Sequence, residues 1–139
     1  MMTKKIEVSL DSINQIMSLL IEGMSGQPDE IFGLNMVNEN SIRILVDSYL
    51  LSEYKDEPYI IQKNFKNSLK YAINFIPEEK LRKNLSDEIY IVDFPENMSL
   101  IEFYKNLWKY MFPDEEYFIN NEEKENYILQ KKLYIEKSL

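Results

Sequence analysis

The stretch SLIEFYKNLWKYMFPDEEYF, from Ser99 to Phe118, constrains the fold more than any other part of the chain. Wound at 100° per residue, Leu100 to Phe112 places Glu102, Lys105, Asn106 and Lys109 on one narrow side. Everything else is apolar or aromatic. Leu100, Tyr104, Leu107 and Met111 occupy the centre of the arc, with Ile101, Trp108 and Phe112 along one edge and Phe103 and Tyr110 along the other. That arc spans roughly 200°, against the ~100° by which a surface helix reaches a single core. Such a helix is either sandwiched between two layers or shows an aromatic edge to another molecule. Ser99 and Glu102 have the spacing of a capping box at its start, and Pro113 ends it.

The remaining elements follow from the same periodicities. "KKIEV" reads as a short strand with Ile6 and Val8 on one side. A helix from about Ser9 or Ser12 to Glu22 carries Leu10, Ile13, Met17, Leu20 and Met24 on one stripe, with Ser12 and Gln15 as a capping pair. Gly23, Gly26 and Pro28 mark a loop. "EIFGLNMVNENSIRILVDSYLL" reads as a β-hairpin. Phe32, Leu34 and Met36 alternate on one arm, Ile42, Ile44 and Val46 on the other, with "NEN" as the turn and "SEYKDEP" as a polar loop after it. Pro58 suits the start of a helix running to Ile76, and "EEKLRKNL" a further short one. "EIYIVDF" reads as a strand in the middle of the sheet. The tail from Asn120 reads as helix, although "YILQKKLYIE" also alternates as a strand would. The expected fold is a single α+β domain over residues 1–139, with a mostly antiparallel sheet around a central β-hairpin packed by three to five helices.

Charge and missing residue types narrow the function. The formal net charge is −8, which repels phosphate backbones and anionic membranes and favours a basic protein partner. The same charge also serves simply to keep a small protein soluble. No window holds the ~20 apolar residues of a membrane span, and "MMTKKIEVSLDS" has no apolar signal core, so a cytoplasmic protein is expected. The bias toward Asn, Ile, Lys, Glu and Tyr points to an AT-rich bacterial or phage genome.

With no histidine and no cysteine, zinc sites of the usual ligands, Ser-His-Asp triads and thiol chemistry are excluded. The three glycines fit no phosphate loop. No cofactor is expected. Asp114 with Glu116, or Glu122 with Glu125, lack the spacing of a calcium loop. Pro28-Asp29 followed by Glu53-Tyr54-Lys55 matches the short pattern of a metal nuclease, in which two carboxylates share a divalent cation beside a lysine. That reading conflicts with the net charge and places Glu53 and Lys55 in a loop.

Two resemblances bear on function. "KKIEVSLDSINQIMSLL" followed by "PDEIFGLNMV", within residues 4–51, resembles the JAB/MPN domain. The resemblance implies Glu30 at that family's catalytic glutamate and Gly33 at the glycine after it. The family's paired metal-binding histidines have no counterpart here, which leaves an inactive scaffold. In size, charge and lack of catalytic groups the whole chain is similar to bacterial toxin-immunity proteins, small acidic α+β proteins that block a cognate toxin. That resemblance implies a non-enzymatic inhibitor of a basic protein partner, with no nucleic acid and no membrane, as a monomer or homodimer. Tyr104, Trp108, Tyr110, Phe112, Tyr117 and Phe118 are the candidate anchors. Glu96, Glu102, Asp114, Glu115, Glu116, Glu122 and Glu123 are the candidate steering charges. The alternatives are an inactive enzyme-fold scaffold, an oligomeric structural subunit, and a phage protein that disarms a bacterial defence.

Overall fold

The computed structural model describes residues 5–85 and 88–131. Strand β1, Ile6–Ser9, hands directly to helix α1, Leu10–Met17, which tightens into a 3-10 turn over Ser18–Leu20. The cap is Ser9 rather than Ser12. Ser9 has extended backbone, its hydroxyl oxygen accepts the Ser12 amide at 3.1 Å, and its own amide donates to Ser68 Oγ at 3.0 Å. Those bonds satisfy donors that a helix start otherwise leaves bare. Ile13, Ile16, Met17 and Leu20 face the core, while Met24, past the helix end, is exposed.

The expected hairpin is absent. Residues 39–56 form one continuous helical run: α2 over Glu39–Leu45, a π turn over Val46–Leu50, and α3 over Leu51–Asp56. The "NEN" segment is a helix cap, not a turn, because Asn38 Oδ1 accepts the amides of Asn40 at 2.9 Å and Ser41 at 3.3 Å. Ile42, Leu45, Val46, Tyr49, Leu50 and Tyr54 are buried, a spacing of three and four that the alternation of Ile42, Ile44 and Val46 concealed. The π turn inserts one residue into the phase and lets both halves bury the same face. "SEYKDEP" is therefore mostly helix.

Helix α4, Tyr59–Phe75, starts at Pro58 and buries Phe65, Leu69, Ala72 and Ile73. Pro77 precedes α5, Glu78–Leu85. The strand expected over residues 88–94 is an extended segment threaded between two loops. Its Ile91 amide donates to Leu20 O at 2.8 Å and its Asp93 amide to Leu34 O at 2.8 Å; in return it accepts from Glu22, Gly33 and Met36. Those bonds make two isolated bridges and no ladder. Gly33 meets Ile91 at φ +79°, a conformation that disfavours other residues.

Helix α6, Leu100–Met111, takes the first of the two arrangements open to its wide apolar arc, sandwiched between layers. It packs on α2, α4, α5 and the π turn, and buries Leu100, Phe103, Tyr104, Leu107, Trp108 and Met111. A short helix α7, Asn121–Lys124, begins in a full capping box between Asn120 and Glu123. The tail then leaves helix for strand β2, Tyr127–Gln130, with Tyr127 packed 5.7 Å from Tyr71. The part of the tail beyond residue 131 lies outside the described residues. β2 pairs in parallel with β1, Ile6 opposite Tyr127 and Ser9 opposite Gln130. The fold is thus mixed helix and strand, but its sheet is two parallel strands and not a mostly antiparallel one. Parallel strands need a long crossover, and here the whole helical core supplies it. Apart from Val8 and Ile119, the buried apolar side chains of the described residues form one contiguous cluster.

Candidate functional site

The C-terminal end of α6 and the chain after it enclose a groove of about 560 Å³. Phe112 leaves helical geometry at φ −131°, ψ 61°, and Pro113 prevents a further turn. The chain then folds back along the polar stripe of α6. Three bonds hold it there. Trp108 Nε1 donates to the Glu115 carbonyl at 2.8 Å, Asn74 Nδ2 donates to the Tyr117 carbonyl at 2.7 Å, and the Ile119 amide donates to Asn74 Oδ1 at 3.1 Å. Ile119, two residues on from Tyr117, is buried.

The structure separates the expected contact residues into two sets. Tyr104, Trp108 and Phe112 are core residues, with 0%, 3% and 7% of their surface exposed. Of these, Trp108 and Phe112 still show an edge in the groove wall, whereas Tyr104 does not reach it. Phe118 is 64% exposed at the rim, and Tyr117 is half-buried beside it. Tyr110 is half-buried and its hydroxyl donates to Glu39 at 3.0 Å. Glu115 and Glu116 line the groove with Glu102. Asp114, Glu122 and Glu123 are exposed but outside it. Glu96 is exposed elsewhere, beside a smaller cavity near α5.

Sequence reasoning passed over Lys105, Asn106 and Lys109, which also line the groove. Their stripe was visible as the narrow polar side of α6; that Pro113 would return the chain across it was not. Lys105 lies 3.4 Å from Glu102 and 6.0 Å over the Tyr117 ring. Lys109 bonds Glu39 at 2.6 Å. The Lys109 ammonium, and then the Tyr110 hydroxyl, hold the Glu39 carboxyl below the usual value, while Glu39 raises Lys109. Glu115 pairs with Lys66, whose ammonium sits 4.9 Å over the Phe112 ring. Asp114, Glu116 and Glu122 have no ion pair with another described residue. The groove therefore offers an apolar rim at Phe118 beside one carboxylate, Glu116, that is free to meet a cation, with Asp114 exposed just outside it.

The short nuclease pattern lies elsewhere. Asp29 is in a 3-10 turn, and Glu53 and Lys55 are on α3 rather than in a loop. Two residues apart on a helix, they point about 200° away from each other. Among the described residues no three acidic groups converge as cation ligands would. No helix of the described residues is long and apolar enough to cross a membrane. Comparisons with protein-family models, with curated proteins and with solved structures return no match.

Proposed function

We infer that the chain is a non-enzymatic binding protein of immunity type, which neutralises a basic protein partner at the groove between α6 and residues 113–119. The carrying observation is the meeting at one rim of Phe118, 64% exposed, with the unpaired carboxylate of Glu116. An exposed phenylalanine beside free acids suits a partner that presents an apolar pocket ringed by lysine or arginine. Phe118 and Tyr117 take the anchoring role, and Trp108 and Phe112 act by making the groove wall rigid. Asp114, Glu116, Glu122 and Glu123 steer the encounter.

The test compares the wild-type chain with an Asp114→Lys/Glu116→Lys variant and with Phe118→Ala. Candidate partners are captured on the immobilised chain, and association and dissociation rates are measured at low and high salt for each. The expected result is a wild-type association rate that falls with salt, a slower rate for the charge variant, and faster dissociation for Phe118→Ala. A capture that is indifferent to all three changes would overturn the reading. A second reading, a constitutive oligomer in which this chain is a structural subunit, is favoured by the edge strand β2, where Ile128 and Leu129 are 40% and 47% exposed. Sedimentation of the pure chain as a monomer at high concentration removes it.

A further inference from the structure

Lys63, Lys66 and Lys70 recur along α4 at intervals of three and four, and so share one face of the helix. That face lines a second groove, of about 390 Å³, which shares Trp108 and Glu115 with the first. In a chain of net charge −8 this groove reverses the sign: three ammonium groups stand against one lining carboxylate. Glu115 is already paired with Lys66, and neither Lys63 nor Lys70 has an ion pair with another described residue. At the mouth stands Tyr59, 76% exposed, its ring unstacked against any other ring among the described residues.

A bare aromatic face beside a row of cations has a specific complement. Aromatic side chains stack on nucleobases of any identity, and lysines take phosphates as point charges. The charge of the rest of the chain repels a long polyanion but weighs little on a ligand that lies within one Debye length, ~10 Å, of the lysines. The volume falls within the roughly 300–1,000 Å³ of small-molecule sites. We propose that this groove binds a nucleoside polyphosphate, with its base on Tyr59 and its phosphates along Lys63, Lys66 and Lys70. The phosphates take the place of the Glu115 carboxylate at Lys66. Because the Glu115 carbonyl holds Trp108 Nε1, occupancy alters the surroundings of the only tryptophan in the chain.

The experiment titrates the purified chain with ATP, adenosine, inorganic tripolyphosphate and a short oligothymidine at about 0.1 M salt, where the Debye length is ~10 Å, following Trp108 emission and binding heat. Saturable ATP binding is expected, with adenosine and tripolyphosphate each weaker by about tenfold or more. Lys63→Ala with Lys70→Ala weakens ATP by about tenfold or more. Tyr59→Ala abolishes the preference for ATP over tripolyphosphate. Lys63→Glu alone, at an exposed position, repeats the charge test where the double variant is unstable. No saturation up to about 5 mM ATP overturns the proposal. So does equal affinity for tripolyphosphate, tighter binding of the oligothymidine than of ATP, or indifference to the lysine changes.

Discussion

Trp108 and Phe118 lie in one aromatic-rich stretch and do opposite work. Trp108 is inside, 4.7 Å ring to ring from Phe112, with its Nε1 bonded to the Glu115 carbonyl. Removing it opens a cavity and frees the loop that forms the groove. Trp108→Ala is expected to cost about 3–5 kcal/mol in urea unfolding. Phe118→Ala removes a ring already in solvent and is expected to stay within about 0.5 kcal/mol of wild type, so any change in partner binding by that variant is a surface effect. Tyr104 poses the reverse case. It is fully buried, and its hydroxyl has no hydrogen-bond partner among the described residues. A buried polar group left unsatisfied costs about 1–3 kcal/mol, so Tyr104→Phe is expected to raise the urea midpoint rather than lower it. A loss of stability in that variant would mean that the hydroxyl has a partner after all.

Helix α6, which presents the groove, is held at its start by a residue from another helix. The Glu78 carboxylate accepts the amides of Leu100 at 2.7 Å and Ile101 at 3.2 Å and the Ser99 hydroxyl at 3.2 Å, while Ser99 Oγ accepts the Glu102 amide at 3.2 Å. A negative group there also meets the positive end of the helix dipole. Glu78→Ala is expected to cost about 1–2 kcal/mol, and Ser99→Ala nearer 1 kcal/mol, both read from denaturant midpoints. From the sequence, the Ser99 cap could be read because local chemistry and period agree there, whereas the wide apolar arc of α6 left sandwiching and an exposed aromatic edge equally open. Glu78 could not be read, since its partners are more than twenty residues away. The hairpin error has the same root. Asn38 suits a turn and a helix cap equally, and β-branched Ile42, Ile44 and Val46 fit a strand until Leu45 and Tyr49 are counted with them. The segment around Ile91 is not the central strand its apolar run suggested: its neighbours on both sides are loops, so it has bridges without a ladder. Of the candidate site, the acids and Phe118 were legible as exposed groups after a helix stop. The burial of Tyr104, Trp108 and Phe112 was not, because it depends on the second layer that α4 and the π turn supply.

The chain as a whole lacks histidine, the side chain that titrates between about pH 5 and 8. Its stability is therefore expected to be flat across neutral pH, and its ionisable weak points lie at the alkaline end. Burial, with Glu115 and Tyr59 adding to it, pushes the Tyr54 hydroxyl up to about 12. Burial likewise raises Tyr104, Tyr49, Tyr90 and Tyr127 above the ordinary tyrosine value. For each, the folded state keeps a proton that the unfolded chain gives up near pH 10. Between the unfolded value and the folded one the unfolded chain binds fewer protons, so stability falls as pH rises. Each contribution is complete below about pH 10; that of Tyr54 is lost by about pH 12, and that of Tyr104, the most deeply buried, persists to higher pH. These tyrosines come from α3, the π turn, the segment near Ile91, α6 and β2, so the loss should strike the core as one unit rather than fray one edge. Urea midpoints taken from neutral pH to about pH 12 should hold level and then drop steeply, with the tyrosinate absorbance that Tyr54→Phe and Tyr104→Phe remove rising in step with unfolding. Tyr104→Phe removes one of the protons at issue and should make that drop shallower. An ionisation near pH 10 in the folded wild type that Tyr54→Phe or Tyr104→Phe lacks would show that these hydroxyls reach water, and the single shared core inferred from their burial would fall with that result.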